Sequence, residues 1–228
     1  MFNSNKLIHP FEIDIFLPDH NIAIEYNGLV WHSEIFGKKD SSYHLDKTNA
    51  CASKGVKLIH IFSYDWENNP EIVKSRLRNL IKKSNRIAAR KCKLVKLTSK
   101  QETQFFSLNH LQGSCRSAVA FGLEFNGEIV SAMSFAKPRF NKNYQFELIR
   151  FSNKLNTTVI GGASKLFSHF TYLYSPKSII SYSDKKWGEA SLYSNLGFNY
   201  IHTSKPNYFY FNLKKNKKIL LSRQQFQK

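Results

Sequence analysis

The stretch FEIDIFLPDHNIAIEYNGLVWH, residues 11 to 32, constrains the fold more than any other part of the chain. Phe11, Ile13, Ile15 and Leu17 alternate with Glu12, Asp14 and Phe16, the two-residue period of a half-buried strand, and Ile22, Ile24 and Tyr26 resume the period after a polar turn. Closing Pro18-Asp19-His20-Asn21 as a tight hairpin with the apolar residues on one face pairs Leu17 with Ile22, Ile15 with Ile24 and Asp14 with Glu25. Two carboxylates set across from each other repel, and a shared cation relieves that repulsion. Asn27-Gly28 ends the second strand with a turn dipeptide, and Trp31-His32 follows, returning an imidazole toward the acids.

The spacing predicts a helix over residues 40–54, with Asp40 or Ser41 as N-cap and Gly55 as the stop. It sets His44 and Lys47 three apart on one face and leaves Asp46 off that face. Residues 56–62 are an apolar run suited to a buried strand, and Pro70 followed by Glu71 opens a helix over 70–81. Strand, strand, helix, strand, helix predicts an α/β layer with a mixed sheet.

On these residues the chain resembles the very-short-patch mismatch repair (Vsr) endonucleases, and the phage and intron homing endonucleases that share their PD-(D/E)XK-type fold. The matching elements are Asp14 on the first strand, GLVWH at 28–32, and the later YHLDKTNACASKGVKLIHIF, together covering about residues 8–80. The resemblance implies metal-assisted hydrolysis of DNA phosphodiesters. Asp14 would be the principal metal ligand, Glu25 the second acid and His32 the catalytic histidine. Asn27 stands where the wider motif often has lysine, so Lys47 is the candidate replacement, with His44 beside it. Hard oxygen ligands from Asp14 and Glu25 suit Mg²⁺ or Mn²⁺, and the chain offers no thiolate cluster for zinc. Near neutral pH His32 would either activate water or protonate the leaving group. Related homing nucleases carry a further glutamate on a helix before the first strand, whereas MFNSNKLIHP contains no acid. Three expectations follow: Glu12 or Glu25 substitutes, the recorded start lies inside a longer gene, or the nuclease is damaged.

Charge divides the chain. It carries 34 Lys and Arg against 16 Asp and Glu, a formal net charge of +18, yet residues 1–80 hold 9 basic and 10 acidic residues while the rest holds 25 and 6. A near-neutral part with clustered acids suits a metal site, and a strongly basic part suits holding double-stranded DNA by counterion release. Residues 81–100 contain Lys82, Lys83, Arg86, Arg90, Lys91, Lys93, Lys96 and Lys100 without an acid, and the tail over 213–228 is also basic and acid-free. These runs are expected to contact phosphates, 81–96 as a basic linker. Membrane binding would need an amphipathic insertion helix or a lipidation signal, and neither is evident. Three widely spaced cysteines without a CxxC pair, together with no signal peptide, predict a reduced, cytoplasmic setting.

The second domain is expected over 97–212, with a helix over 101–111, strands over 118–125 and 128–135 joined by Asn126-Gly127, and a strand over 146–151. A helix opened by Gly161-Gly162-Ala163, a strand over 179–182 and a helix over 188–198 follow. This order, with ASLYSNLGF, resembles the GNAT acetyltransferase fold, an α+β domain in which a glycine-rich turn at a helix N-terminus binds the pyrophosphate of acetyl-CoA. The basic residue expected before that turn is missing. A GNAT-like core reused for target selection would add Arg116, Lys137, Arg139, Lys142, Arg150, Lys185 and Lys186 as candidate DNA contacts, while Tyr144, Trp187 and Tyr208 would fill the core rather than stack on bases.

The expectation for the whole chain is a metal-dependent, site-directed DNA endonuclease of the phage homing type. The alternatives are an acetyltransferase tethered to DNA by its first domain and a decayed nuclease that binds DNA without cutting it. A nuclease with one active site must form a homodimer on DNA or act twice to break both strands.

Overall fold

The computed structural model describes residues 7–28, 43–187, 191–204, 209–210 and 221–222. They fall into two compact α/β units, the first comprising residues 1–70, 184–189 and 201–228, the second 71–183 and 190–200.

In the first unit, β1 (Ile15–Leu17) and β2 (Ile22–Asn27) are joined by a 3-10 turn at Pro18–His20, which Asn21 leaves in the left-handed region at φ 50°. Leu17 pairs with Ile22 and Ile15 with Ile24, the register that the apolar alternation requires. After α1 (Tyr43–Ser53), strand β3 (Lys57–Phe62) adds parallel to β2, so the sheet is mixed, in the order β1-β2-β3. Gly55, at φ 70°, stops α1 by letting its own N–H reach the Ala52 carbonyl and the Val56 N–H reach that of Cys51. Residues 40–42, where the helix was expected to begin, lie outside the described residues. Cys51 of α1 packs with Ile8, Ile13, Ala23, Val56 and Leu58 into the core of this unit. A short helix, α2 (Ser63–Asn68), leaves the end of β3, and β11 (Phe209–Tyr210) pairs antiparallel with β12 (Leu221–Ser222).

The helix expected to close the first domain, α3 (Pro70–Leu80), belongs almost entirely to the second unit. Side-chain hydrogen bonds explain why: Ser75 Oγ accepts from the Asn156 N–H, and Arg78 Nη1 donates to Asn156 Oδ1 at 2.7 Å. The expected linker over 81–96 is likewise folded. It holds β4 (Asn85–Ala88), parallel to β9 (Thr157–Ile160), and β5 (Lys93–Lys96), an edge of the main sheet. Basic residues lie so close together here that the short apolar positions Ile87, Leu94 and Val95 do not stand out as strands.

The main sheet runs β10-β8-β7-β6-β5. Its centre is the hairpin of β6 (Val119–Phe125) and β7 (Glu128–Ala136), turned by Asn126 at φ 52° and Gly127 at φ 81°, the two positive φ values that a type I′ turn needs. Strand β8 (Phe146–Asn153) continues antiparallel, and the two-residue β10 (Ile179–Ile180) joins β8 in parallel. Helix α4 (Ser99–Asn109) starts with a reciprocal capping box between Thr98 and Gln101, and its Phe105 and Phe106 bury with Leu97, Ala120 and Ala132. Helix α5 (Gly162–Tyr174) contributes Leu166 and Phe170 to a second cluster with Phe121, Leu123, Met133, Phe135 and Leu148. A last short helix, α6 (Ser191–Asn195), gives way to Gly197 at φ 85°.

Gly122 shows how closely this sheet is packed. A Cβ there would lie 2.9 Å from Leu97 Cδ2 and 3.2 Å from Ile129 Cγ2. Gly122→Ala is expected to destabilise the protein by about 1–3 kcal/mol, seen as a lower urea midpoint at unchanged slope. An unchanged midpoint would mean that Leu97 moves aside at no cost.

His110, beyond the end of α4, has a pKa held down at about 3 by burial, with the Arg150 and Arg76 cations acting in the same direction. Its Nδ1 accepts from the Gln112 N–H at 3.1 Å, so that nitrogen carries no proton. The unfolded chain, with an ordinary histidine pKa of about 6.5, binds the proton first, so this contribution to stability is complete above pH ~6.5 and is lost as the pH falls toward 3. Over that window the loss is expected to be at most about 4–5 kcal/mol. His110→Gln should flatten the acid limb of a melting-temperature profile; an unaltered limb would assign the acid sensitivity to other groups.

Candidate functional site

The hairpin and the parallel β2–β3 pair bring the chemistry of the first unit together. Because β2 alternates, Ala23, Glu25 and Asn27 share the buried face while Tyr26 points outward. Lys47 of α1 reaches this face, and its Nζ lies 2.6 Å from Glu25 Oε1, with both side chains almost wholly buried at 2% and 8% exposure. His44 lies one turn earlier on α1, its ring edge-on to His60 and to Phe62.

Parallel pairing puts His60 of β3 beside Glu25, and the surrounding hydrogen bonds assign its tautomer. Thr48 Oγ1 donates its proton to the His44 carbonyl at 2.7 Å, so toward His60 Nε2, 2.9 Å away, the same oxygen is an acceptor. His60 Nε2 therefore carries the proton. Nδ1 then accepts from Asn27 Nδ2 at 3.2 Å. The chain of contacts from Asn27 through His60 to Thr48 ties β2, β3 and α1 together beneath the Glu25–Lys47 pair.

Asp14 stands at the exposed rim. It immediately precedes β1, whose first residue, Ile15, pairs with Ile24. Its Oδ2 accepts from the Tyr26 N–H at 2.7 Å, which fixes the carboxylate beside the Glu25–Tyr26 peptide, and its Oδ1 has no partner among the described residues. The alternation predicts Ile22, Ile24 and Tyr26 on the buried face with both acids opposite, but β2 instead buries Ala23, Glu25 and Asn27 and turns Tyr26 outward, so Glu25 is buried while Asp14 is exposed. Glu25 is compensated by an internal lysine and Asp14 is open. Among the described residues no group of three or more His, Cys, Asp and Glu side chains could hold a metal ion. Mg²⁺ does not need such a cage: it is commonly held by one or two carboxylates together with waters and substrate phosphates. Asp14 and Glu25 supply oxygens of the type such an ion takes, with Glu25 Oε1 already engaged by Lys47. His32, the expected catalytic histidine, lies outside the described residues.

Cys51 sits on the same helix as Lys47. Burial pushes its thiol up to about 11, with Lys47 pulling down and Glu25 pushing up, so it is an inert core residue rather than a nucleophile. Cys51, Cys92 and Cys115 are all free, as their number and spacing imply.

Sequence reasoning missed two polar groups here. His60 was hidden inside an apolar run, although a lone polar residue in a strand buried on both faces signals a buried partner. Asp65, at the start of α2, is also buried and takes Lys186 Nζ at 2.9 Å. No local pattern pairs residues 121 positions apart.

Of the expected phosphate contacts, Lys82, Lys83, Arg86, Arg90, Lys91, Lys93, Arg116 and Lys185 are exposed. Three others have internal partners. Lys186 is held by Asp65 and, at 3.4 Å, by Asp184; Arg139 lies 2.5 Å from the buried Glu147; Arg150 is buried and donates to the Gly113 and Ile149 carbonyls. Glu147 raises the Arg139 pKa, whereas burial lowers that of Arg150. Lys142 is exposed and donates to the Pro138 carbonyl, Trp187 and Tyr144 are half-buried, and Tyr208 lies outside the described residues. The turn at Gly161-Gly162 has a packing explanation. Gly161 takes φ 75°, and a Cβ on Gly162 would meet Val159 at 3.0 Å. No helix among the described residues is long and apolar enough to cross a membrane. No protein-family model matches this chain, and no curated protein matches it.

Proposed function

We propose that the protein is a metal-dependent DNA endonuclease of the Vsr-like, PD-(D/E)XK type, with the first unit cutting and the basic second unit holding double-stranded DNA. The observation that carries this reading is the buried Lys47–Glu25 pair in a hairpin whose other strand is preceded by Asp14. It supplies from a helix the lysine that Asn27 does not supply from the strand. An ion pair buried this deeply is seldom retained for stability, because desolvation offsets its attraction. A catalytic use accounts for it better.

Asp14 and Glu25 would hold the Mg²⁺ or Mn²⁺, which supplies Lewis-acid polarisation of the scissile phosphate and offsets its developing charge. Lys47 orients Glu25 by their ion pair, and its positive charge would act in a site of low dielectric, where it counts for more than in water. Asn27, His60 and Thr48 would act as positioning residues that hold β2 against β3 and α1. His32, five residues beyond Asn27, is the group proposed to move the proton, either from the attacking water or to the leaving oxygen. The second unit is read as GNAT-like on its strand order and on the parallel β8–β10 contact, reused for binding DNA. Because Gly162 is explained by packing, the Gly161-Gly162 turn lends acetyl transfer no separate support.

The test is cleavage of phage and host genomic DNA by the full chain in Mg²⁺, Mn²⁺ or EDTA, beside Asp14→Asn and His32→Ala. Discrete, metal-dependent fragments lost in both variants support the reading. Salt-sensitive binding with no cleavage under either metal would instead mark a DNA-binding protein without nuclease activity.

A further inference from the structure

A cavity of about 190 Å³ in the second unit is lined by Asn79, Lys82, Ser84, Arg86 and Thr158. Every lining residue carries a hydrogen-bond donor, two are cations and none is an acid. The fold builds this lining from three separate places. Asn79 is in the last turn of α3. Lys82 follows at φ 59°, in the left-handed C-terminal position where glycine is usual, and the Lys83 N–H closes the turn on the Arg78 carbonyl. Lysine is disfavoured in that conformation, and such strain concentrates at functional sites. Arg86 and Thr158 come from neighbouring strands, where the β4–β9 register sets them side by side.

Asn79, Thr158 and Ser84 form a hydrogen-bonded chain that can run outward toward Ser84. Asn79 Nδ2 donates to Thr158 Oγ1, and Thr158 Oγ1 lies 2.6 Å from Ser84 Oγ. An amide nitrogen can only donate, so Thr158 accepts there and can pass its own proton to Ser84. The Ser84 hydroxyl proton is then left over. A terminal donor polarised by two upstream donors, between an ammonium and a guanidinium fork, suits a tetrahedral oxyanion.

We propose that this cavity is a phosphate-binding pocket that seats one backbone phosphate of DNA and so fixes the register of the second unit along the strand. The proposal rests on the reading of the chain as a DNA-binding protein, and it adds neutral donors, Asn79, Ser84 and Thr158, to cations that charge counting alone would treat as interchangeable.

The experiment measures binding of the full chain to a fluorescent duplex in EDTA as a function of salt. Thr158→Val and Ser84→Ala should each weaken binding by roughly 3- to 10-fold with the salt slope unchanged, the size expected for one hydrogen bond of about 1 kcal/mol. Arg86→Gln should weaken binding and reduce the slope by about 1, and Arg86→Lys should restore the slope without the full affinity. Melting temperatures of the variants identify any that fold poorly. If Thr158→Val and Ser84→Ala bind like wild type while wild type binds well, the pocket is wrong and the DNA-binding reading stands. If wild type does not bind duplex at all, that reading fails, and titration with inorganic phosphate decides the pocket: amide shifts confined to Ser84, Arg86 and Thr158 keep it as a site for a free phosphate, and their absence overturns it.

Discussion

Asp14→Asn is expected to lower metal-dependent DNA cleavage by about 10³-fold or more while leaving the fold intact. The two halves of that result have different causes. The amide oxygen of asparagine can still accept from the Tyr26 N–H, so the hydrogen bond that now holds Oδ2 at 2.7 Å survives and the rim of the hairpin keeps its shape. What disappears is a negative charge at the open position of the acid pair. Stabilisation of the phosphoryl charge by a bound divalent ion amounts to several kcal/mol, and each 1.36 kcal/mol is a factor of ten in rate. Asp14→Ala should lose the same activity and, in addition, about 0.5–1.5 kcal/mol of stability for the missing acceptor. Single-turnover cleavage in Mg²⁺, together with urea unfolding in EDTA, separates the two effects. Full activity in a clean preparation of Asp14→Asn would place the metal elsewhere and remove the basis of the proposed site.

Lys47→Met is expected to cost about 3–5 kcal/mol of stability, the largest effect of any single substitution considered for this protein. Lys47 is 2% exposed, so its removal leaves the Glu25 carboxylate in the core without its counter-ion. Methionine fills most of the lysine stem, which keeps the cavity contribution small and isolates the charge. The double variant Glu25→Gln, Lys47→Met should recover much of the loss, because neither residue then carries a charge to desolvate. Neither variant should cut DNA. Urea midpoints of the two single variants and the double form a cycle whose coupling reports the pair directly. Near-zero coupling would mean that water or another group compensates Glu25. A stable double variant that still cuts would reduce Lys47 and Glu25 to a structural pair.

Much of the fold was legible because its signals are local. The alternation of residues 11–26 with a polar turn at 18–21 predicts the pairing of Ile15 with Ile24 and Leu17 with Ile22, although not which face of β2 is buried. Asn126-Gly127 and Gly55 demand backbone conformations that few other residues adopt, and the elements that meet at these turns end and begin within a residue or so of where expected. The boundary between units was not legible in this way. Pro70 marks a helix start correctly, but which unit the helix joins depends on hydrogen bonds from Ser75 and Arg78 to Asn156, some eighty residues away.

The candidate site divides along the same line. Residue type and spacing led to the expectation of Asp14 opposite Glu25 and set His44 and Lys47 on one face of a helix, since a two-residue or 3.6-residue period fixes which side chains share a face whatever the rest of the chain does. Only the tertiary structure made Lys47 the partner of Glu25, gave His60 a defined tautomer between Asn27 and Thr48, and took Arg139, Arg150 and Lys186 out of the pool of free cations. Net charge counts a lysine the same whether it faces solvent or a buried aspartate. Which of the two it faces is set by contacts between residues far apart in the chain, and those exist only once the units have folded.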